Sequence, residues 1–302
     1  MTAAPGDPAL DGAGLDGAVP DVAVPDGVAR DRGPLRVAVF GAAGRLGSVL
    51  VEAIEDADDL EVVAELGRDT SRSVLRTSRA EVALDVTGPA AVAADVTACI
   101  EAGIDVVVGS SGLTGDDLTR VRRLLQARVD AAPGAHRTGV LVAPNFSVGA
   151  VLAEALAVRA ARHLPSVEVI ELHHDRKVDA PSGTARRTAS RIARARTAAG
   201  LADVADATVY DPDGARGALI DGIRVHAVRL RGLLASQEVV FGGPGETLTI
   251  RHDSTSRESF VPGALLALRR VGSLPGLTVG LEGLLGLDAA AGPAAAAEAG
   301  VG

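Results

Sequence analysis

A short apolar segment, followed at once by evenly spaced glycines and an amphipathic repeat, constrains this chain more than any other feature. Residues 35–40 read Leu-Arg-Val-Ala-Val-Phe, and Gly41, Gly44 and Gly47 follow them. Apolar residues then recur at helical spacing, at Leu46, Val49, Leu50, Ala53 and Ile54. A strand, a glycine turn and a helix in this order are typical of a dinucleotide-binding loop. The glycines let the backbone approach a pyrophosphate at the helix N-terminus.

Strands and helices continue to alternate after this loop and predict an α/β fold with a Rossmann-type parallel sheet over residues 35–146. Residues 147–259 have a different pattern, which predicts an α+β domain with an antiparallel or mixed sheet. In the first part, strands are expected at 61–66, 82–86, 106–109 and 140–143, with helices at 90–102 and 116–127. In the second, helices are expected at 149–163 and 183–198, and strands at 167–172, 223–230, 237–241 and 247–252. A helix is expected from residue 260 to 271, and Gly242-Gly-Pro-Gly245 predicts a hairpin.

Both ends of the chain differ from the part between them. Residues 1–34 consist largely of Asp, Gly, Ala and Pro, with an aspartate at every fifth position from Asp11 to Asp31. This period fits neither a helix nor a strand. Residues 288–302 are mostly Ala and Gly. Both segments are therefore expected to be disordered tails.

Composition excludes several classes of function. The net charge is −9 and aromatic residues make up only 2% of the chain, which argues against a nucleic-acid partner. No apolar run approaches the length of a membrane helix, and the N-terminus lacks the basic and apolar regions of a secretory signal. The single cysteine, Cys99, has no partner for an internal disulfide. We therefore expect a cytoplasmic protein with no membrane partner.

The stretch from Glu171 to Thr184 carries the strongest chemical pattern. His173, His174 and Lys177 follow a predicted strand, and imidazole and ammonium groups can move protons or attract carboxylates. Ser182-Gly-Thr184 then begins a predicted helix, where free backbone N–H groups favour an anion. The pattern predicts a pocket for a small anionic substrate that is protonated during the reaction. It lacks the ligand spacing of a zinc site, so no metal is expected.

The end of the second predicted strand bears on the choice of cofactor. An acidic residue at this position usually binds the ribose hydroxyls of NADH. Here Gly67 and Arg68 stand at the strand end, and Glu65 lies two residues upstream. Arg68, together with Arg45 of the glycine loop, favours the 2′-phosphate of NADPH, whereas Glu65 favours NADH. The sequence predicts use of both cofactors with a preference for NADPH.

These motifs resemble those of the 4-hydroxy-tetrahydrodipicolinate reductase family, formerly called dihydrodipicolinate reductases. The strongest match is Glu171-Leu-His-His-x-x-Lys-x-Asp-Ala-Pro-Ser-Gly-Thr-Ala185. Supporting matches are Gly41–Gly47, Asp85-Val-Thr87, Gly109-Ser-Ser-Gly112 and Ala143-Pro-Asn-Phe146. The resemblance extends from Leu35 to Leu287. It implies reduction of a cyclic dicarboxylate by NADPH or NADH, with loss of water, in diaminopimelate and lysine biosynthesis.

The resemblance also implies roles for individual residues. His173 is the expected acid/base residue and Lys177 the expected proton donor. The expected ligands of the substrate carboxylates are His174, Ser182, Gly183 and Thr184. The expected cofactor-binding residues are Gly41, Ala42, Ala43, Gly44, Arg45, Leu46, Arg68, Gly109, Ser110, Ser111, Ala143, Pro144, Asn145 and Phe146. The family pattern further implies a homotetramer formed through the second domain, and a C-terminal segment (260–287) that returns to the first.

Departures from the family pattern and two alternatives accompany this interpretation. Val86 stands where the family usually has Phe, which removes an aromatic side chain near the expected nicotinamide site.

One alternative is a related oxidoreductase acting on an aspartate-derived aldehyde or amino acid. A semialdehyde dehydrogenase would carry a nucleophilic cysteine in a loop, whereas Cys99 lies in a predicted helix. The other alternative is a nucleotide-sensing homologue without catalysis, which would have no need of His173 and Lys177 together.

Overall fold

The structure, a computed structural model, describes residues 33–287. The two tails expected to be disordered lie outside the described residues, except for Gly33 and Pro34. The described chain forms two sheets, one of six strands and one of five. The predicted combination of a Rossmann-type parallel sheet with a second, mixed sheet is confirmed.

The first sheet is parallel throughout, with strand order β11-β5-β4-β3-β1-β2. Its strands are β1 (Leu35–Phe40), β2 (Leu60–Leu66), β3 (Val82–Asp85), β4 (Asp105–Val108), β5 (Gly139–Val142) and β11 (Gly276–Val279). Its helices are α1 (Gly47–Glu55), α2 (Val74–Thr77), α3 (Val92–Ala102), α4 (Gly115–Ala131) and α7 (Val261–Val271). Two apolar cores form, one between the sheet, α1 and α7, and one between the sheet, α3 and α4. Strands buried on both faces read as continuous apolar runs, which is why the sequence revealed them.

The C-terminal segment adds to this sheet in a way the sequence did not predict. After the short 3₁₀ helix Arg257–Phe260 and α7, strand β11 pairs in parallel with β5. Three half-buried residues and one exposed residue give no recognisable strand pattern, and their pairing depends on a strand more than 130 positions upstream.

The second sheet has the order β10-β9-β6-β8-β7. Its elements are α5 (Val148–Ala160), β6 (Ser166–His173), α6 (Gly183–Ala198), β7 (Ala218–Ile220), β8 (Ile223–Arg229), β9 (Ala235–Gly243) and β10 (Glu246–Ser254). The β6–β8 pair is parallel and the other pairs are antiparallel, so the sheet is mixed. Helices α5 and α6 cover one face and build a third apolar core. The predicted glycine-rich hairpin joins β9 to β10.

Candidate active site

The glycine loop has the backbone geometry of a phosphate-binding turn. Gly41 has a φ of +80°, and a side chain there would meet the Val86 carbonyl oxygen at 2.9 Å. A side chain at Gly47 would collide with the Gly41 carbonyl. The loop can therefore fold tightly over the start of α1 only because residue 47 has no side chain. The Gly44 N–H donates to Gly41 O at 2.9 Å, which closes the turn. The loop therefore fits a dinucleotide pyrophosphate at the N-terminus of α1.

A cleft of about 250 Å³ brings the cofactor and substrate motifs together. Its wall includes Leu46, Gly109, Pro144, Asn145 and Phe146 from the expected cofactor loops, and His173, Ser182 and Thr184 from the expected substrate loop. The chain thus folds so that residues more than 130 positions apart share one cavity. Hydride transfer requires this kind of arrangement, because cofactor and substrate must lie in contact.

The side chain of His173 is held by a buried carboxylate. Its Nδ1 lies 2.6 Å from Oε2 of Glu171, which is fully buried on the same strand. Arg229 donates to both oxygens of Glu171, at 2.7 and 2.8 Å. Because the Glu171 carboxylate accepts a hydrogen bond from Nδ1, the ring is held as the tautomer that is protonated at Nδ1. Nε2 is then available to a ligand in the cleft.

The electrostatic environment of His173 and Glu171 determines their charges when no ligand is bound. Burial lowers the pKa of His173 below its ordinary value, and attraction to Glu171 only partly opposes that effect. Burial alone would raise the pKa of Glu171, but hydrogen bonds from Arg229 and His173 hold it below its ordinary value. At neutral pH the site therefore contains a neutral imidazole above an ionised carboxylate. A bound dianion would favour protonation of this imidazole, and Glu171 would stabilise the resulting positive charge.

The Ser-Gly-Thr turn offers fewer free N–H groups than its sequence predicts. The Ser182 N–H donates to Glu171 Oε1 at 3.0 Å, and its hydroxyl oxygen caps α6 by accepting from the Ala185 N–H at 3.2 Å. The N–H of Ser182 is therefore not among the free N–H groups that this turn offers. The N–H groups of Gly183 and Thr184 remain for an anion at the positive end of α6.

Lys177 and His174 lie near this turn but do not line the cleft. The Lys177 ammonium pairs with Asp179 at 2.8 Å, and its positive charge contributes to lowering the pKa of His173. The ring of His174 accepts from the Arg176 N–H through Nδ1 at 3.2 Å. A substrate carboxylate would have to compete with Asp179 for Lys177.

The remaining predicted cofactor residues lie around the carboxyl ends of the parallel strands. Arg45 and Arg68 are exposed, as is Ser111. The Ser110 hydroxyl donates to the buried carboxylate of Asp85 at 2.5 Å and so holds the loop after β4 against the end of β3. Ala42 and Ala143 are buried, whereas Ala43 is exposed.

Aromatic side chains reach the cleft from positions other than Val86. Val86 packs against the core beneath α1 and α7. Phe146 lies so close to Gly109 that a side chain at that glycine would collide with its ring. Phe260, at the end of the 3₁₀ helix, is the second aromatic residue in the wall. The cleft wall thus contains two phenylalanine rings, neither of which comes from the segment that carries Val86.

The cleft also contains residues that sequence reasoning missed, among them Gln237, His252 and Ser254. They lie on β9, which pairs with β6, and on β10, which pairs with β9. Gln237 pairs with Glu171 on one side and with His252 on the other, so these three residues form one row across three strands. His252 Nε2 lies 3.1 Å from the Ser147 hydroxyl, and burial lowers its pKa. Alternation along β9 and β10 could have assigned these side chains to one face, but only the strand pairing places that face beside His173.

Cys99 does not indicate a second active centre. Cys99 is fully buried in α3 and burial raises its pKa, which is the opposite of what a nucleophilic thiol requires. Within residues 33–287, no cluster of three or more His, Cys, Asp or Glu side chains could hold a metal ion. No helix in that range is long and apolar enough to cross a membrane.

Comparisons with known proteins agree with this geometry. A family model described as "Dihydrodipicolinate reductase, N-terminus" matches residues 35–146, and one described as "Dihydrodipicolinate reductase, C-terminus" matches residues 149–285. The 4-hydroxy-tetrahydrodipicolinate reductase of Streptomyces coelicolor is 56% identical over 254 residues, which is 84% of this chain and 99% of the relative. The corresponding reductase of Mycolicibacterium smegmatis is 52% identical over 254 residues, with 84% and 100% covered.

A solved structure gives the same result. Dihydrodipicolinate reductase from Paenisporosarcina sp. TG-14, with dipicolinate bound, aligns with a TM-score of 0.70 at 34% identity. The alignment covers 83% of this chain and 99% of that chain. A probable dehydrogenase from Thermotoga maritima aligns with a TM-score of 0.51 at 14% identity, covering 84% and 93%, and shares the fold alone.

Proposed function

The chain belongs to the dihydrodipicolinate reductase family, and we propose that it reduces 4-hydroxy-tetrahydrodipicolinate to tetrahydrodipicolinate, in diaminopimelate and lysine biosynthesis. It is an NAD(P)H-dependent oxidoreductase. The observation that carries the proposed reaction is the single cleft that joins the dinucleotide loops to His173 and the N-terminus of α6. Neither alternative from the sequence is favoured, because Cys99 is buried and the acid/base residue lies beside the cofactor loops.

The cofactor is assigned to the loops at the carboxyl ends of the parallel strands. Residues 41–46 would hold the pyrophosphate, and residues 109–111 and 143–146 would hold the nicotinamide end. When bound, the nicotinamide supplies the hydride that the substrate ring accepts. This assignment is supported by the cleft wall, to which Leu46, Gly109 and Phe146 all contribute. We accordingly divide the chain into a nucleotide half, residues 35–146 with 260–287, and a substrate half, residues 147–259.

The substrate carboxylates are assigned to the positive end of α6. The N–H groups of Gly183 and Thr184 can donate to one of them, and Lys177 or His174 can pair with the other once Lys177 leaves Asp179. The net reaction replaces the hydroxyl on ring carbon 4 by hydrogen and consumes one proton as water is released. We assign the transfer of that proton to His173 Nε2, because Glu171 lies at hydrogen-bond distance from Nδ1 and would stabilise the imidazolium.

We propose that NADPH is preferred over NADH. Gly67 offers no carboxylate at the end of β2, and its N–H donates to the Thr70 hydroxyl. Arg68 next to it is exposed and makes no ion pair within the described chain, so its guanidinium is available for a 2′-phosphate. Glu65 is exposed on the same strand and is the competing ribose ligand.

We further propose a cytoplasmic homotetramer, assembled through the face of the second sheet that α5 and α6 leave uncovered. Strand alternation places Ile170, Leu172 and Val240 on that face, where each is only half-buried in the single chain. A second copy would bury them, as apolar sheet faces require. Light scattering after size-exclusion chromatography measures the mass, and a monomer at micromolar concentration would contradict the tetramer.

The proposed reaction is tested by NADPH oxidation in the presence of purified protein and freshly generated 4-hydroxy-tetrahydrodipicolinate. We expect a saturable decrease in absorbance at 340 nm that requires both substrate and protein. A protein that binds NADPH but leaves this substrate untouched would fit the nucleotide-sensing alternative instead.

A further inference from the structure

Gln237 has a buried acceptor atom for which residues 33–287 provide no hydrogen-bond donor. The residue lies on β9 and forms part of the cleft wall. Its Nε2 donates to the Thr188 hydroxyl at 3.1 Å, whereas its Oε1 is buried without a hydrogen-bond partner among the described residues. A buried carbonyl oxygen without a donor destabilises a protein, because it has lost its hydrogen bonds to water and gained none in return. Such an atom in a ligand cleft is satisfied when a ligand brings the donor.

The orientation of this amide follows from the groups behind it. Thr188, which is fully buried on α6, donates its hydroxyl proton to Glu154 Oε2 at 3.2 Å. Glu154 faces Arg191 at 2.5 Å and Arg187 at 3.4 Å, so it acts as an ionised acceptor. Because Thr188 has only one proton to donate, it must accept from Gln237. The nitrogen of the amide is thereby fixed towards α6, and the oxygen is left as the unpaired atom.

We infer that Gln237 binds the leaving hydroxyl of the substrate, whose O–H donates a hydrogen bond to Oε1. This inference rests on the proposed function. The substrate carboxylates are acceptors and cannot satisfy Oε1, whereas the hydroxyl on ring carbon 4 is a donor. Gln237 pairs directly with Glu171 across β6 and β9, and His173 follows two residues later on the same face. Gln237 would thus hold the leaving oxygen beside the residue that moves the proton.

Removal of the acceptor tests this role. Gln237→Leu keeps the approximate volume but no polar atom, and we expect kcat/KM for 4-hydroxy-tetrahydrodipicolinate to fall about tenfold. Dipicolinate has a planar ring without the hydroxyl. Its dissociation constant from the NADPH-bound enzyme, measured by calorimetry, should therefore change less than about twofold, as should the KM for NADPH. Gln126→Leu on α4 is the matched control, since Gln126 is the only other glutamine and is exposed.

Each other outcome contradicts the inference in its own way. An unchanged kcat/KM means that Oε1 contributes nothing to the reaction. An equal loss of dipicolinate affinity means that Gln237 only packs the wall, and a raised KM for NADPH means that it binds the nicotinamide carboxamide instead. If Gln237→Leu melts at a lower temperature than the wild type, the inference is tested with Thr188→Val, which removes the hydroxyl that orients the Gln237 amide. We then expect kcat/KM to fall about threefold and the affinity for dipicolinate to remain unchanged. Inactive wild-type enzyme would refute the proposed function itself, whereas active wild type with an unaffected Gln237→Leu variant refutes this inference alone.

Discussion

Substitution of Glu171 by glutamine should separate the two roles of this buried carboxylate, in stability and in proton transfer. Glu171 is fully buried and accepts from Arg229, His173 and the Ser182 N–H. Removing one partner of a buried ion pair costs about 3–5 kcal/mol. The Arg229 side chain keeps 20% of its surface exposed, which places the loss near the lower end, at about 3 kcal/mol. The melting temperature should then fall by about 6–12 °C.

The pH dependence of this stability loss has a definite sign. Because the folded protein holds the pKa of Glu171 below its ordinary value of 4.5, the carboxylate stabilises the fold fully above that pH. The stabilisation is lost as the pH falls through the lower pKa of the folded state. The difference in unfolding free energy between wild type and Glu171→Gln should therefore be full at pH 7 and shrink below about pH 4.5. Urea unfolding at several pH values measures it.

The same variant should slow the reaction about a hundredfold, the lower end of the range for a lost acid or base, because glutamine keeps an acceptor for the imidazole. Loss of the negative charge also lowers the pKa of His173 further. The limb of the pH–kcat/KM profile that reports deprotonation of His173 should move to lower pH. Glu168→Gln is the matched control: Glu168 lies on the same strand and pairs with Arg216 and a histidine, but it faces away from the cleft. A limb that stays in place in Glu171→Gln, or moves equally in Glu168→Gln, would refute the reasoning.

Four further substitutions test the site from other directions. His173→Ala should lower kcat by about two to four orders of magnitude, and Lys177→Ala should lower kcat and raise the substrate KM; near-wild-type steady-state kinetics in both would contradict the assigned chemistry. Wild type should favour NADPH by about tenfold in kcat/KM, and Arg68→Ala should remove most of that preference while sparing NADH turnover. An unchanged preference for NADPH in Arg68→Ala would contradict this role of Arg68 and indicate that Glu65 is the residue that contacts the ribose. Gly109→Ala should raise the KM for NADPH and lower stability by about 1–3 kcal/mol, because the new methyl group collides with a phenylalanine ring. Gly115→Ala meets no atom within 4 Å and should leave both quantities unchanged.

The fold could be predicted from the sequence wherever a local pattern determines it. Strands β1, β3, β4 and β5 are almost entirely buried, and such strands read as apolar runs between helices. The β9–β10 hairpin was found because glycines mark its turn. Strand β11 was missed because its four residues have no distinctive pattern and gain their partner only by the return of the chain to β5.

The site shows the same division between local and long-range information. The motif from Glu171 to Thr184 predicted His173 and the start of α6 as parts of one site, and both line the cleft. This prediction was possible because those residues are neighbours along the chain. Gln237 was missed because its position in the cleft depends on pairing between β6 and β9, whose paired residues are more than 60 positions apart. The N–H of Ser182 was expected to be free, since nothing in a helix-start pattern reveals that a carboxylate eleven residues upstream already accepts from it.

The most direct test of the proposed reaction follows the hydride itself. The purified protein is incubated with 4-hydroxy-tetrahydrodipicolinate and NADPH that carries deuterium at the transferable position, and the product is analysed by mass spectrometry and NMR. The reaction replaces the hydroxyl on ring carbon 4 by hydrogen, so tetrahydrodipicolinate should contain one deuterium at that carbon. His173→Ala should form this labelled product at least about a hundredfold more slowly. Oxidation of the cofactor without deuterium in the ring, or label at another carbon, would contradict the proposed reaction.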